Sequence, residues 1–232
     1  MRIAVLSGKG GTGKTLISVN LASVAEASAY IDCDVEEPNG HLFLSPENIQ
    51  EDDVTVLIPQ VDNTLCDGCR QCVSFCRFNA LAYVNEQLIV LEDICHSCGG
   101  CVLICPQQAL REKAKIIGQV WQGSSERVQV TTGMLMPGVH SGTPIVSQMM
   151  QTNMANPPQL IVIDCPPGSS CIVMSSIKNS NYCVLVAEPT IFGLHNFKMV
   201  YDLVRLFQLP CGVVLNKQQT YTDPVKQFCL DN

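Results

Sequence analysis

The chain has 232 residues, enough for one α/β domain and a small second unit. Its formal charge of −7 argues against the basic face on which nucleic-acid binding draws, and no apolar run approaches the roughly 18 residues of a membrane span. Its fourteen cysteines accompany an amino-terminal stretch that enters a strand without the charged-then-apolar pattern of an export signal; the chain therefore reads as cytoplasmic, where disulfides are rare and regular cysteine spacing points to metal or cluster ligation.

The first apolar run, Ile3-Ala4-Val5-Leu6, predicts a strand over residues 2–7, and the pattern from Leu16 onward predicts a helix over 14–26. Between them, Gly8-Lys9-Gly10-Gly11-Thr12-Gly13-Lys14-Thr15 matches G-x-x-x-x-G-K-[ST] in full. Strand, loop and helix in that order are the context a phosphate loop requires. The glycines let the backbone turn its N–H groups around an anion, and the helix N-terminus adds partial positive charge. Lys14 is placed to reach the β- and γ-phosphates of a nucleotide, and the Thr15 hydroxyl to sit on Mg²⁺. An ordinary glycine-rich βα turn would not call for the Lys-Thr pair.

Ala29-Tyr30-Ile31 predicts a short strand delivering Asp32 and Asp34. The C-terminal ends of parallel strands are where α/β folds place ligands; the bland alternative is two solvated loop carboxylates. His41, among apolar neighbours, reads as structural. Residues 45–60 predict a loop and an edge strand over Val54-Thr55-Val56-Leu57-Ile58, ended by Pro59.

The composition then changes. Cys66, Cys69, Cys72 and Cys76 are spaced x2, x2, x3, and Cys95, Cys98, Cys101 and Cys105 repeat that spacing before Pro106. Each cysteine recurs 29 positions on (66 to 95, 69 to 98, 72 to 101, 76 to 105), and Ala80-Leu81 recurs as Ala109-Leu110. This is an internal duplication. Two-residue gaps let a tight turn present three thiolates to three irons of one cube, and the fourth iron must be reached from elsewhere. Zinc also takes C-x-x-C pairs, but it leaves the third cysteine of each run unused. A segment of about fifty residues with little apolar bulk needs ligand bonds in place of a core.

Arg111, Lys113 and Lys115 lead back to the main domain. Arg127 to Thr131 predicts a strand, Gly133 to Gly142 a loop whose methionines read as packing, and Pro144 to Met150 a helix. Leu160-Ile161-Val162-Ile163 is wholly apolar, the mark of a buried parallel strand, with Asp164 at its end and Pro166-Pro167-Gly168 as a rigid turn. Tyr182 to Ala187 predicts a strand leading to Glu188-Pro189-Thr190, Leu194 to Phe207 a helix, and Cys211 to Leu215 a strand with Asn216 and Lys217 at its end. A last helix starts near Pro224. Cys33, Cys165, Cys183, Cys211 and Cys229 lie in or beside apolar segments and read as packing.

Several of these strings resemble one family. Lys9-Gly10-Gly11-Thr12-Gly13-Lys14-Thr15, with its extra early lysine, resembles the deviant phosphate loop of the MinD/ParA class of ATPases, which includes the nitrogenase iron protein and the Mrp-type cluster carriers. Asp32-Cys33-Asp34-Val35-Glu36-Glu37-Pro38-Asn39 resembles a subgroup that carries an inserted ferredoxin domain, and the cysteine runs resemble a bacterial two-cluster ferredoxin, although Cys76-Arg77 departs from its usual Cys-Pro. The resemblance implies a doubly wound, mostly parallel α/β ATPase in two parts, 1–59 and 113–232, around an α+β ferredoxin-like insert at 60–112. It implies an ATP-dependent homodimer in which Lys9 reaches the other subunit's nucleotide. Asp34 orients the attacking water, with Asp32 near the metal shell. Asp164 matches the Walker B aspartate and holds Mg²⁺ through water, and Asn216 reads the adenine edge, where the bland alternative is a cap or turn asparagine. In the ferredoxin pattern the fourth cysteine crosses over, so Cys66, Cys69, Cys72 and Cys105 hold one [4Fe–4S] cluster and Cys95, Cys98, Cys101 and Cys76 the other. Cys171 sits at the offset of an iron-protein cluster ligand, but a second such ligand has no equivalent, so a buried thiol is the favoured reading. The family continues beyond the position of Asn232 with a further strand and helices, so the chain reads as short or cut. What ATP drives is left among electron transfer to a redox partner, cluster delivery, and a redox-sensing regulatory role.

Overall fold

The structure, a computed structural model, describes residues 1–151, 158–218 and 224–231. They form two compact units: Met1–Asp52, Gln119–Met134 and Gly142–Asn232 make the first, and Asp53–Gly118 with Leu135–Ser141 the second.

The first unit is built on β1 (Arg2–Leu6), α1 (Lys14–Ser23), β2 (Ser28–Asp32), α2 (Gly40–Leu44) and the start of β3 (Glu47–Val61). Among the described residues one sheet runs β10-β9-β1-β8-β2-β7-β6-β3. Its later strands are β6 (Leu110–Ser125), β7 (Val128–Leu135), β8 (Leu160–Asp164), β9 (Tyr182–Ala187) and β10 (Cys211–Leu215). From β10 to β7 every neighbouring pair is parallel. The central strands are apolar because both faces are covered. Val5, Tyr30, Val130, Val162 and Val186 are buried in one cluster with Val19 and Ala22 of α1. Register sets the chemistry: Asp164 lies opposite Val5 on one side and Asp32 on the other. The strand ends therefore bring the phosphate loop and both acidic stretches to one edge of the sheet.

The remaining helices are α5 (Thr143–Gln151), α6 (Cys171–Ile177), α7 (Ile191–Leu206) and α8 (Pro224–Asp231), after α3 (Gln71–Phe75) and α4 (Gly100–Leu103) in the second unit. That unit also holds the antiparallel hairpin of β4 (Leu81–Val84) and β5 (Gln87–Val90). Its buried cluster is small, with Leu81, Leu88 and Leu110 packed around Cys72 and Cys101.

Several expectations need correction. Pro59 does not end its strand, since β3 continues to Val61; β3 is last in the sheet order, and an edge strand tolerates a residue without an N–H. The stretch after Arg111 is no mere connection but the sixteen-residue β6. Its charges, Arg111, Glu112, Lys113 and Lys115, mask the strand because they crowd its first half, where no position after Leu110 is buried until Ile117. Gly133 belongs to β7, which runs on to Leu135, and a side chain there would collide with Val35, Ile145 and Met149. Met136 is exposed and so is Cys229; α8 buries only Val225. Cys171 is exposed as well, at the first position of α6.

Candidate functional site

The loop from Ser7 to Thr15 joins β1 to α1. Gly13 is the residue before the helix and has φ 96°, a left-handed conformation that glycine adopts without strain. A Cβ there would also run into Asn216 Nδ2. No side chain caps the first turn of α1, so its N–H groups are left for an anion. Thr12 Oγ1 is buried without a partner, which fits a loop that takes its last hydrogen bonds from a ligand. A cleft of about 640 Å³ lies over this loop. It is lined by Ser7, Gly10, Gly11, Gly13, Lys14 and Thr15, by Asp34, Glu36, Glu37 and Asn39 after β2, and by Pro166 and Pro167 after β8.

Behind the cleft stands a buried polar knot. Lys14 Nζ donates to Asp164 Oδ1 at 2.6 Å, Ser18 Oγ donates to the same oxygen at 3.1 Å, and the Tyr30 hydroxyl donates to Oδ2 at 2.9 Å. Asp164 is fully buried and Lys14 nearly so. Burial opposes the charge on Lys14, but Asp164 and its hydrogen bond outweigh burial and hold the lysine above its usual pKa. Asp32 accepts N–H bonds from Asp34 at 3.2 Å, Asn39 at 3.2 Å and Gly40 at 2.9 Å. Burial first, then the charge of Asp164, still pushes Asp32 up to about 7. Asp34, at the cleft wall, is pushed up to about 6 by burial, with Lys14 pulling the other way. Gly40 is required here, since a side chain would collide with the Tyr30 hydroxyl.

Gly8, Lys9, Thr12, Asp164 and Asn216 are not among the cleft-lining residues. Asp164 is covered by Lys14. Asn216 Nδ2 donates to the Thr12 carbonyl at 2.7 Å. Lys9 Nζ pairs with Glu188 Oε2 at 2.5 Å. Tyr30, Ser18, Glu188 and Lys217 are additions to the residues singled out from sequence. Glu188 and Lys217 carried a signal, because Glu188 directly follows β9 and Lys217 stands two residues past the end of β10. Tyr30 carried none: a tyrosine in an apolar strand looks like packing.

The cysteine runs sit in the second unit. The 29-residue offset reappears in three dimensions: α3 starts at Gln71 and α4 at Gly100, and the Ala80 and Ala109 N–H groups donate to Cys76 and Cys105 Sγ, each at 3.3 Å. The halves exchange backbone bonds. Asp62, ahead of the first run, donates to Ala109 behind the second at 2.7 Å, while Leu91, ahead of the second, donates to Ala80 behind the first at 2.8 Å. Burial pushes the Cys72 thiol up, and among the charges that act on it are those of Cys105 and Cys69. Burial pushes Cys101 up to about 11, with Cys95 and Cys98 adding to it. Among the described residues, no three His, Cys, Asp or Glu side chains converge in a group that could hold a single metal ion.

Family comparison agrees with the first site. The model for the CobQ/CobB/MinD/ParA nucleotide binding domain matches residues 3–224, and the chain belongs to that family. Among known proteins it is 28% identical over 227 residues to MJ0579 of Methanocaldococcus jannaschii, an uncharacterized protein, covering 94% of this chain and 80% of that one. Among solved structures it is similar to the septum site-determining protein MinD of Pyrococcus horikoshii in complex with Mg-ADP (18% identity, TM-score 0.53, 99% of this chain and 76% of that). The cell division ATPase MinD of Pyrococcus furiosus is comparable (19%, 0.54, 99% and 78%). At these identities the structural matches establish the fold alone, a mostly parallel α/β domain. Among the described residues no helix is long and apolar enough to cross a membrane.

Proposed function

We propose that the chain is an Mg²⁺-dependent ATPase that works as a nucleotide-dependent homodimer and couples ATP to electron transfer, or to a redox or regulatory protein partner, through two [4Fe–4S] clusters. The observation that carries this reading is the junction of two sites in one chain: a phosphate loop of the MinD/ParA kind and a duplicated cysteine unit whose halves exchange backbone bonds. That exchange favours crossed ligation, because it returns Cys105 toward the first run and Cys76 toward the second. Cys66, Cys69, Cys72 and Cys105 would hold one cluster, and Cys95, Cys98, Cys101 and Cys76 the other. The Ala80 and Ala109 N–H groups directed at Cys76 and Cys105 Sγ are outer-shell donors of the kind that orient a sulfur ligand. The clusters supply one-electron transfer.

In the nucleotide site Lys14 leaves Asp164 for the β- and γ-phosphates, and the loop N–H groups with the Thr12 hydroxyl close on the phosphate oxygens. Once Lys14 has moved, Asp164 and Thr15 are free to hold Mg²⁺, and Asp34 at the cleft wall orients the attacking water. Lys9 serves the nucleotide of the second copy, and Asn216 turns to the adenine edge. Residues 1–59 and 113–232 form the ATPase domain and 60–112 the ferredoxin-like insert.

The deciding experiment is anaerobic purification with iron and sulfide analysis, followed by cluster midpoint potentials with no nucleotide, with MgADP and with a non-hydrolysable MgATP analogue. About eight irons and a potential that moves by on the order of 59 mV, tenfold in relative affinity for a one-electron centre, would uphold coupled redox function. Eight irons with identical potentials would move the reading to partner docking. Loss of iron to an apo-acceptor would make the chain a cluster carrier. A chain that takes up no iron would end the cluster reading while leaving the ATPase reading to a phosphate-release assay.

A further inference from the structure

The outer rim of the phosphate loop is tied to residues that follow β9 and β10. Ala187 lies opposite Leu215 at the ends of these parallel strands, and the Asn216 N–H donates to the Ala187 carbonyl at 2.9 Å. Glu188 and Lys217 therefore emerge side by side. Lys217 Nζ donates to the Gly11 carbonyl and to Glu188 Oε1, the latter at 2.8 Å. The second carboxylate oxygen, Oε2, takes Lys9 at 2.5 Å. The Glu188 side chain is only 13% exposed, against 36% for Lys9. Both cations, Lys217 foremost, hold its carboxyl below the usual glutamate range.

We infer that Glu188 is a latch that parks Lys9 on its own subunit, so that a nucleotide-loaded second copy must draw Lys9 off Glu188 before two copies close. The inference rests on the role proposed above for Lys9. A lysine held by a shielded carboxylate is not free to extend away from its own loop. The second lysine makes the exchange reversible. When Lys9 leaves, Lys217 still neutralises Glu188, so no half-buried carboxylate is stranded without a partner. Lys217 also keeps its hold on Gly11, and the loop is not loosened by the departure. The triphosphate of a second copy carries more charge than one carboxylate and can compete for Lys9. A copy without nucleotide offers no such competitor, and the latch opposes pairing in that state. Lys217 is the holder of the latch and Glu188 a positioning residue; neither is itself among the residues that line the cleft.

The test uses the full chain and Glu188→Gln, which keeps the shape and removes the charge. In the nucleotide-free protein, acylation of Lys9 is followed by mass spectrometry against exposed Lys178 on the same molecule. Lys9 reacts about two- to fivefold faster in the variant, the range an incompletely buried ion pair provides; equal rates overturn the latch whatever the chain's oligomeric behaviour. Sedimentation with Mg²⁺ and a non-hydrolysable ATP analogue then reads self-association. Glu188→Gln associates at about two- to fivefold lower protein concentration than the wild type, and Lys9→Ala in either background does not associate. If the wild type pairs and Glu188→Gln pairs equally or less well, Glu188 is not a latch, and a weaker pairing would place it on the partner's side of the contact. If the wild type and Lys9→Ala behave alike at every concentration, the reading of Lys9 itself falls and the latch with it.

Discussion

In the first unit the core and the chemistry are separate. Val5, Val162 and Val186 pack within the sheet under α1, while the loop, Asp34 and the turn after β8 gather at the strand ends around the cleft. In the second unit the core and the proposed cluster site coincide. Cys72 and Cys101 are themselves core residues, packed with Leu81, Leu88 and Leu110, and Cys66, Cys76 and Cys105 lie against them. A fold whose apolar core stands apart from its ligand keeps its shape without that ligand. A fold whose core is its ligand shell has far less to stand on.

The largest expected effect breaks that comparison at its weaker side. In anaerobically prepared protein carrying the proposed clusters, stripping the iron with a chelator should strongly raise hydrogen exchange across β4 and β5 while β1, β2 and β8 stay protected. Loss of protection in both units together would show that the first unit also depends on the cysteines. Full protection of β4 and β5 without iron would mean that Leu81, Leu88 and Leu110 suffice as a core.

The next effect probes the first unit, where the buried charges form a closed knot. Lys14→Met removes the only cation bonded to fully buried Asp164 among the described residues. Breaking a buried pair from one side costs about 3–5 kcal/mol. Ser18 and Tyr30 still donate to Asp164, so about 3 kcal/mol is expected in urea unfolding without nucleotide. Added nucleotide should no longer raise the midpoint. Unchanged stability in Lys14→Met would mean that the Lys14–Asp164 pair contributes little to holding the fold. Tyr30→Phe deletes one bond to the same carboxylate and leaves the ring in place; about 1.5–3 kcal/mol is the range for a hydrogen bond to a charged group. Measured alone, it shows how much of the knot is hydroxyl and how much is lysine.

The same contrast explains what was legible in the sequence. The phosphate loop could be read because it is local: the eight residues Gly8 to Thr15 run from just past one strand into the helix that follows it. Asp164 could be read because an apolar run ending in an acid has few other uses. The cysteine duplication was visible as spacing, and its offset returns as paired helices and exchanged backbone bonds. Long-range contacts were not visible. Tyr30 and Asp164 are 134 residues apart, and nothing local marks their meeting. β6 was missed because its charged first half hides the alternation. Residues 54–58 read as an edge strand, and β3 is last in the sheet; Pro59 misled only as a stop signal, where an edge strand tolerates a residue without an N–H.

The smallest expected effect is a pH dependence at the rim of the first site. Glu188 has its carboxyl held below the ordinary value of 4.5 by Lys217 and then Lys9. Its ionised form is therefore favoured in the folded chain, and the folded state binds fewer protons than the unfolded one as pH approaches that value from above. The contribution is complete above about pH 4.5 and disappears as pH falls through the lower, folded pKa. Its size is at most about 1 kcal/mol, since the lysines are partly exposed. Comparing urea midpoints of wild type and Glu188→Gln cancels the many other carboxylates that titrate in the same range. The wild type should be the more stable at pH 7, and the gap should close as pH falls below 4.5 and through the lower, folded pKa. A gap that does not narrow with falling pH would assign the difference to the shape of the side chain, and Lys9 would then be held at the rim by something other than charge.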